Sequence, residues 1–241
     1  NNGFDSDVKA FDSTMGAMFF MLFFKHVDAW YKLHGDWTPE DSKARYALVH
    51  AIAFNYTVIG DTVSQSLMGN PSGQPMTTHM NCIKVRCDDM IAYLLTVPDV
   101  DMQDEEAQHT SGVLGYNAYV KAMCLGDDQI RAVSDEVSSY FNFESAQKAL
   151  REYGIIITTA DKTGGTFKTK PIIDLEFLSC KTRVNPVPFV PGLYITPVVA
   201  PSSLSKCVAY VKPNMEMDET QCVITNINDN LMRAFFAGRD E

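Results

Sequence analysis

Two adjacent aspartates, Asp127 and Asp128, follow a glycine in the segment AMCLGDDQIRAV, residues 122–133. Neighbouring carboxylates repel each other, so a buried pair needs a cation, whereas a solvated turn carries both charges at little cost. Three interpretations are open: an exposed hairpin turn, a calcium loop and a carboxylate site for Mg²⁺. The segment lacks the alternating oxygen ligands of an EF-hand. Mg²⁺ binds through one or two carboxylates plus substrate phosphates, so the third interpretation requires a further carboxylate from a distant segment.

Asp7 and Asp12, five residues apart in DVKAFD, can supply that carboxylate. In a regular strand this odd spacing would put them on opposite faces. They can share one site only if Asp7 lies on a strand and Asp12 lies where the strand turns into a helix. The simpler role for Asp12, in the cap signal FDST, is a helix N-cap. Asp5 shares the strand face of Asp7 and is a rival candidate on spacing alone.

A third group of polar residues lies in SGQPMTTHMN, residues 72–81. Ser72 and Gly73 fall in a loop rich in glycine and proline. Thr77 and Asn81 are four residues apart, so they share one face of a predicted helix. This polar stripe is either a satisfied hydrogen bond in the core or a site that holds a bound hydroxyl group.

Hydrophobic periodicity and turn residues predict the elements that must position these side chains. Predicted helices cover 14–34 (capped by Asp12 or Ser13), 40–56, 76–96, 143–154 and 219–237. Predicted strands cover 4–11, 155–158, 172–180 and the two arms of a hairpin around Gly126, Asp127 and Asp128. The order predicts an α+β fold with helices packed on a small antiparallel sheet.

A second aspartate pair occurs in CDDM, residues 87–90. It falls inside the predicted helix 76–96, where adjacent positions point about 100° apart. We therefore expect Asp88 and Asp89 to face solvent.

The composition of the chain limits the possible functions less than these motifs do. The chain has 241 residues, 46% of them hydrophobic, which is a globular composition. The formal net charge is −10, which by itself argues against nucleic acid. The six cysteines form no CxxC pair and are expected to be reduced core residues of a cytosolic protein. The most apolar run, residues 17–24, is too short to cross a membrane.

The order D-x4-D, S-G-x3-T-x3-N, G-D-D resembles motifs A, B and C of the RNA-dependent RNA polymerases of positive-strand RNA viruses, with the picornavirus-like group the most similar. EYGIIITTADKTG, residues 152–164, resembles motif D and its lysine at Lys162. Motif E is looser, because EFLSCKTR, residues 176–183, has Ser-Cys where the family usually has Lys-Arg. Segments from residue 184 onward resemble the entry to the thumb.

The resemblance implies a role for each candidate residue. Asp7 and Asp127 would bind two Mg²⁺ ions (Mn²⁺ can substitute), and Asp128 would assist them. Asp12 and Asn81 would recognise the ribose 2′-hydroxyl, within a nucleotide-binding group completed by Ser72, Gly73 and Thr77. Lys162 would protonate the leaving pyrophosphate. Lys181 and Arg183, slightly late for motif E, would contact RNA.

The resemblance also implies an organisation and partners. Residues 1–35 and 71–190 would form a polymerase palm, 36–70 a helical insert on the fingers side, and 191–241 the start of a helical thumb. The partners would be an RNA template with its primer or nascent strand, nucleoside triphosphates, and the missing fingers and thumb segments of the same polyprotein product. The family's basic fingers motif lies upstream of motif A, which would account for the acidic charge. We expect the activity in the host cell cytoplasm, at viral replication complexes.

Two other functions remain open from the residues alone. A reverse transcriptase-like palm shares the metal site, although such enzymes usually place a bulky residue near the ribose 2′ position. A non-enzymatic acidic α+β binding domain would use Gly126, Asp127 and Asp128 only as a turn.

Overall fold

The chain folds as an α+β protein, in a computed structural model that describes residues 2–35, 37–98, 112–160, 164–184, 195–199, 203–205 and 218–237. The helices are α1 Ala17–His34, α2 Pro39–Ala53, α3 Thr77–Thr96, α4 Gly112–Tyr119, α5 Asp135–Ser138, α6 Phe143–Arg151 and α7 Glu219–Ala237. The strands are β1 Asn2–Val8, β2 Tyr56–Ile59, β3 Thr62–Gln65, β4 Val120–Leu125, β5 Asp128–Val133, β6 Ile157–Thr158, β7 Lys170–Pro171, β8 Glu176–Phe177, β9 Cys180–Val184 and β10 Ile195–Val199. No helix in these ranges is both long and apolar enough to cross a membrane.

The main sheet is antiparallel and has the order β4-β5-β1-β6, with β7 also paired to β1. The predicted hairpin is therefore confirmed, and its second arm lies beside the first strand of the chain. A separate sheet contains β8, β9 and β10, and the β2–β3 hairpin stands apart from both.

Strand β1 presents different chemistry on its two faces. Phe4 packs edge-on against Phe141 and Phe143, and Val8 joins the same hydrophobic core. Asp5 and Asp7 alternate with these residues, as the period of two in a strand requires, and point to the opposite face. Phe4 and Val8 thus face the helices, and the opposite face of β1 carries the carboxylates of Asp5 and Asp7.

Helix α3 confirms the predicted span but not the predicted exposure of its aspartates. Asp88 and Asp89 are buried, whereas the apolar Ile83 and Ile91 are partly exposed. The expectation that the aspartates face solvent is wrong because each one meets a cation within the fold. Lys84 Nζ lies 2.6 Å from Asp88 Oδ1, and Arg131 from β5 pairs with Asp89.

Arg131 and Asp89 form the centre of a buried polar network. Arg131 is 2% exposed and Asp89 is 1% exposed. The guanidinium also donates to Ser6 Oγ at 2.8 Å and to the side chain of Gln129, and the Tyr116 hydroxyl donates to Asp89 Oδ2 at 2.5 Å. Burial and the adjacent Asp89 carboxylate raise the pKa of Tyr116, so this hydroxyl stays protonated and remains a donor. The network joins β1, β5, α3 and α4.

The predicted start of the first helix is wrong. Residues Phe11–Thr14 form a 3-10 turn, and α1 begins at Ala17 with Gly16 at its N-cap, so neither Asp12 nor Ser13 caps it. The backbone here pairs instead with a distant loop, since the N–H of Asn70 donates to the Asp12 carbonyl at 2.9 Å.

Two further predictions, the strand over 172–180 and the end of the second helix, are wrong because each segment contains a turn among apolar residues. The strand predicted over 172–180 is a 3-10 turn at Ile172–Asp174, the short strand β8 and a tight turn. In that turn both Leu178 and Ser179 have positive φ. This conformation is uncommon for residues other than glycine, so neither residue signals the turn in the sequence. The second helix ends at Ala53, and the β2–β3 hairpin that follows was missed.

The buried ion pair generates a stability prediction. Asp89→Ala leaves the Arg131 guanidinium buried without its counter-ion, so we expect the free energy of unfolding to fall by about 3–5 kcal/mol. Urea unfolding measures the loss. Glu136→Gln, which removes an exposed carboxylate from α5, is the matched control and should change the stability by less than about 0.5 kcal/mol. Equal effects of the two substitutions would show that the pair does not support the fold.

Candidate active site

The turn between β4 and β5 presents the aspartate pair. Leu125 pairs with Asp128, so the turn itself contains only Gly126 and Asp127. Gly126 has φ 66°, as the first position of a two-residue hairpin turn of type I′ or II′ requires, and glycine reaches that region without steric cost. Asp127 therefore lies at the tip and Asp128 opens the returning strand.

The register of β1 against β5 brings the third carboxylate to this tip. Asn2 pairs with Val133 and Ser6 pairs with Gln129, so the same register continued by one residue sets Asp7 opposite Asp128. Asp7 and Asp127, 120 positions apart in sequence, are in this way neighbours at one end of the sheet.

Asp7, Asp12 and Asp127 line one cleft of about 640 Å³. Burial is the largest cause that raises the pKa of Asp127, and the carboxylates of Asp7 and Asp12 raise it further. A carboxyl group whose pKa rises on folding destabilises the folded state at any pH above that pKa, because the ionised form is disfavoured there. A divalent cation would remove this penalty.

The carboxylates suit a metal ion whose coordination shell is completed by a substrate. Within the described ranges, no group of three or more His, Cys, Asp and Glu side chains could hold a metal ion by itself. Mg²⁺ commonly takes one or two carboxylates and completes its shell with water and phosphate oxygens. The donor set of Asp7 and Asp127, open to a cleft, fits that use.

Asp5, the rival of Asp7, has a structural partner. Its Oδ2 accepts a hydrogen bond of 2.8 Å from the backbone N–H of Glu176. Asp5 is buried and does not line the carboxylate cleft. It joins β1 to β8. The structure therefore distinguishes Asp5 from Asp7, which spacing in the sequence could not do.

Asn81 is positioned by a residue that the sequence did not single out. Asn70 is buried, and its side-chain amide donates to Asn81 Oδ1 at 2.6 Å. Its own backbone N–H donates to the Asp12 carbonyl, so Asn70 connects Asp12 to Asn81. The only local signal was an asparagine before proline in a loop, which suggests a turn and not a partner eleven residues away.

The other residues of the predicted nucleotide group lie in the loop ahead of α3 (Ser72 and Gly73) and at the first position of that helix (Thr77). Ser72 and Gly73 are exposed, and Gly73 has φ 87°. Thr77 Oγ1 lies 2.8 Å from the Gln74 carbonyl and 3.1 Å from the Pro71 carbonyl. Thr77 therefore shapes the loop through its hydroxyl group.

Lys162 lies outside the described residues. Thr158 and Gly164, on either side of it in sequence, line the carboxylate cleft.

Lys181 and Arg183 lie on β9, which belongs to the second sheet. Lys181 is paired across the strands with Glu176, and Arg183 is partly buried. Neither lines the carboxylate cleft, whereas Lys181 lines a separate, largely apolar cavity with Met123 and Ile130.

Comparison with known proteins identifies the family of the chain. The family model for viral RNA-dependent RNA polymerase matches residues 1–232. The chain belongs to the viral RNA-dependent RNA polymerase family. It is 24% identical over 237 residues to the RNA1 polyprotein of Grapevine fanleaf virus and 26% identical over 243 residues to the replicase polyprotein of Cricket paralysis virus. These alignments cover 98% of this chain but only 9% and 13% of the two polyproteins.

A solved structure supports the polymerase fold. The chain matches the Sicinivirus 3Dpol RNA-dependent RNA polymerase with a TM-score of 0.63 at 21% identity, covering 98% of this chain and 46% of the other. Membership of the polymerase family, rather than of the reverse transcriptases or of non-enzymatic binding domains, accounts for the three motifs. The family indicates dependence on divalent metal ions in general.

The raised pKa of Asp127 generates a prediction about metal-dependent stability. In metal-free full-length polymerase, Asp127→Asn removes one of the converging charges, so we expect the unfolding temperature to rise by about 1–3 °C. Mg²⁺ should stabilise the wild type and leave the variant nearly unchanged. Thermal unfolding with and without Mg²⁺ measures both effects.

The chain contains a matched control for this experiment. Gly60 and Asp61 form the turn of the β2–β3 hairpin, Gly60 has φ 59°, and Asp61 is exposed. Asp61→Asn therefore changes the same residue type in the same Gly-Asp context without neighbouring carboxylates from β1. A response to Mg²⁺ that survives in Asp127→Asn would contradict the metal assignment.

Proposed function

We propose that this chain is the catalytic palm region of a viral RNA-directed RNA polymerase, which transfers ribonucleotides to an RNA 3′-hydroxyl under the direction of a template. The observation that carries the proposal is the convergence of Asp7, Asp12 and Asp127 in one cleft at the end of the β1–β5 pair. The family match supports it. The chain spans less than half of the solved polymerase that it resembles, so the complete activity requires further segments of the polyprotein product.

The carboxylates supply the metal site of this reaction. Asp7 and Asp127 hold the ions, and Asp128, at the start of β5, assists them. Two bound Mg²⁺ ions, for which Mn²⁺ can substitute, would neutralise charge on the attacking 3′-hydroxyl and on the leaving pyrophosphate. The rigid hairpin and the β1–β5 register keep the carboxylates in place, which is the protein's main contribution to phosphoryl transfer.

Asp12 and Asn81 select the sugar. A ribose 2′-hydroxyl is both a donor and an acceptor, so it can satisfy polar groups that a deoxyribose would leave unpaired. Asn70 supports this assignment because it holds the Asn81 side chain and the Asp12 backbone on one scaffold. Ser72 and Gly73, in the loop that leads into α3, and Thr77, the first residue of that helix, complete the nucleotide site.

The remaining assignments extend the proposal along the chain. Lys162 serves as the general acid for the leaving pyrophosphate. Lys181 and Arg183 contact RNA from β9. The palm consists of residues 1–35 and 71–190, the fingers-side insert of 36–70, and the start of the thumb of 191–241. The separation of the β2–β3 hairpin from both other sheets supports the boundary of the insert.

We assign the activity to viral replication complexes in the host cell cytoplasm, with RNA and nucleoside triphosphates as substrates. The described cysteines are free thiols, which is the usual state in a reducing compartment.

Primer extension by the full-length polymerase tests the proposed function. Asp127→Asn should lower single-nucleotide incorporation by at least about 100-fold, because a lost metal ligand removes charge stabilisation from the transition state. Asp61→Asn, the other Gly-Asp turn, should extend the primer at the wild-type rate. An Asp127→Asn enzyme within about tenfold of the wild type would refute the assignment.

Discrimination between ribonucleotides and deoxyribonucleotides tests the sugar site. Asn81→Ala and Asp12→Ala should each lower the preference for ribonucleotides by on the order of tenfold or more, since unpaired polar groups reject the analogue that lacks the hydroxyl. Asn70→Ala should act in the same direction and more weakly. His79→Ala, an exposed change on the same helix, is the control. An unchanged ratio with activity retained would assign Asp12 and Asn81 to the scaffold.

A further inference from the structure

Two cysteines lie against each other directly beneath the catalytic turn. Cys82 follows Asn81 on α3, and Cys124 lies on β4 two residues before Gly126. The Cys82 Sγ lies 3.8 Å from the Cys124 carbonyl oxygen, and the Cys124 Sγ lies 3.6 Å from the Cys82 carbonyl oxygen. Each thiol thus lies within 4 Å of its partner's backbone, and rotation about the Cα–Cβ bonds is the movement that would bring the two sulfurs together.

Cys82 is also connected to the turn itself. The backbone N–H of Gly126 donates to Cys82 Sγ at 3.4 Å. Both thiols are half-buried and so remain open to a small reagent. Cys82 thus follows Asn81, a proposed sugar-selecting residue, and its sulfur accepts a hydrogen bond from the turn that presents Asp127.

We propose that Cys82 and Cys124 form a thiol modification site, in which a reversible disulfide joins α3 to β4 and switches off nucleotide incorporation. The oxidant is a peroxide. The effect on incorporation rests on the proposed function, whereas formation of the disulfide does not.

The chemistry needs one molecule of hydrogen peroxide. The Cys82 thiolate attacks a peroxide oxygen, the O–O bond breaks, and a sulfenic acid forms while the released hydroxide takes a proton and leaves as water. The Cys124 sulfur, after losing its proton, then attacks the sulfenic sulfur and expels a second hydroxide, which also leaves as water. Two thiols and one peroxide give one disulfide and two waters.

The surroundings of the two sulfurs favour these separate roles. The Gly126 N–H points toward the negative charge that the attacking Cys82 thiolate carries. Burial, and then the adjacent Cys82 thiol, raise the pKa of Cys124, so this residue suits the second, resolving step. Intracellular disulfides of this kind are transient and redox-sensing.

The disulfide would disturb the site through its geometry. A Cys82 sulfur that rotates into the disulfide leaves the position in which it accepts from the Gly126 N–H, so we expect the turn to lose this hydrogen bond. The cross-link also fixes α3, which carries Asn81, against the strand that leads to Asp127. We therefore expect slower incorporation with the nucleotide still able to enter the cleft.

Peroxide treatment of the full-length polymerase, followed by digestion without reductant and mass spectrometry, tests the site. We expect a peptide pair joined through Cys82 and Cys124, together with a loss of single-nucleotide incorporation of roughly tenfold or more that dithiothreitol reverses. The inactive Asp127→Asn enzyme should form the same peptide pair, which separates this test from that of the proposed function.

Cysteine variants test whether this pair causes the loss. Cys82→Ser keeps an acceptor for the Gly126 N–H, and Cys124→Ala removes the second thiol by an independent route; each should keep its activity under peroxide. Cys87→Ser on the same helix and Cys180→Ser on β9 are matched controls and should stay sensitive. Absence of the Cys82–Cys124 peptide pair, or equal peroxide sensitivity in Cys124→Ala, would overturn the proposal, as would a wild-type disulfide that leaves the rate unchanged.

Discussion

The buried ion pair between Arg131 and Asp89 is the interaction on which the rest of this structure depends. It lies between the sheet and the helices, and its further hydrogen bonds reach Ser6 on β1 and Gln129 on β5. Ser6 and Gln129 are register partners; Ser6 precedes Asp7, which lines the cleft, and Gln129 follows Asp128, which opens β5 after the turn. A charge pair buried to this extent tolerates little displacement, because either partner alone would be an uncompensated charge.

The same scaffold explains how like charges can be gathered at the end of the sheet. A buried carboxylate that converges with others raises the free energy of the folded state: burial first, and then the carboxylates of Asp7 and Asp12, raise the pKa of Asp127. Hydrophobic packing around Phe4, Phe141 and Phe143 and the polar network below the strands offset it. Unfavourable electrostatics at the tip of a hairpin is consistent with the proposed site for divalent cations and phosphates.

Much of the fold follows from local sequence signals, and the errors at Asp89 and Asp12 share a physical cause, which is a partner far away in the sequence. The hairpin, α3 and α6 were predicted from periodicity and turn residues, since these depend on neighbours along the chain. The burial of Asp88 and Asp89 was predicted wrongly, because their cations are supplied by Lys84 and, from 42 residues away, by Arg131. The 3-10 turn at Asp12 was missed for a similar reason: its backbone pairs with the loop at Asn70.

By itself, the sequence determined the residue types of the site and the turn that carries them, because a Gly-Asp pair between apolar strands specifies a two-residue hairpin through backbone sterics alone. The turn sequence alone does not decide which such hairpin has a function, and the order of the motifs only points to one of them. In the described part of the chain, two hairpins turn on a Gly-Asp pair, and the tertiary structure shows how they differ: Asp61 is exposed, whereas the β1–β5 register and the folding of β1 into its 3-10 turn bring Asp7 and Asp12 to Asp127. Electrostatic coupling depends on distance in space. The sequence of a hairpin determines only how its own two strands pair, so it does not determine which distant carboxylates lie near its turn.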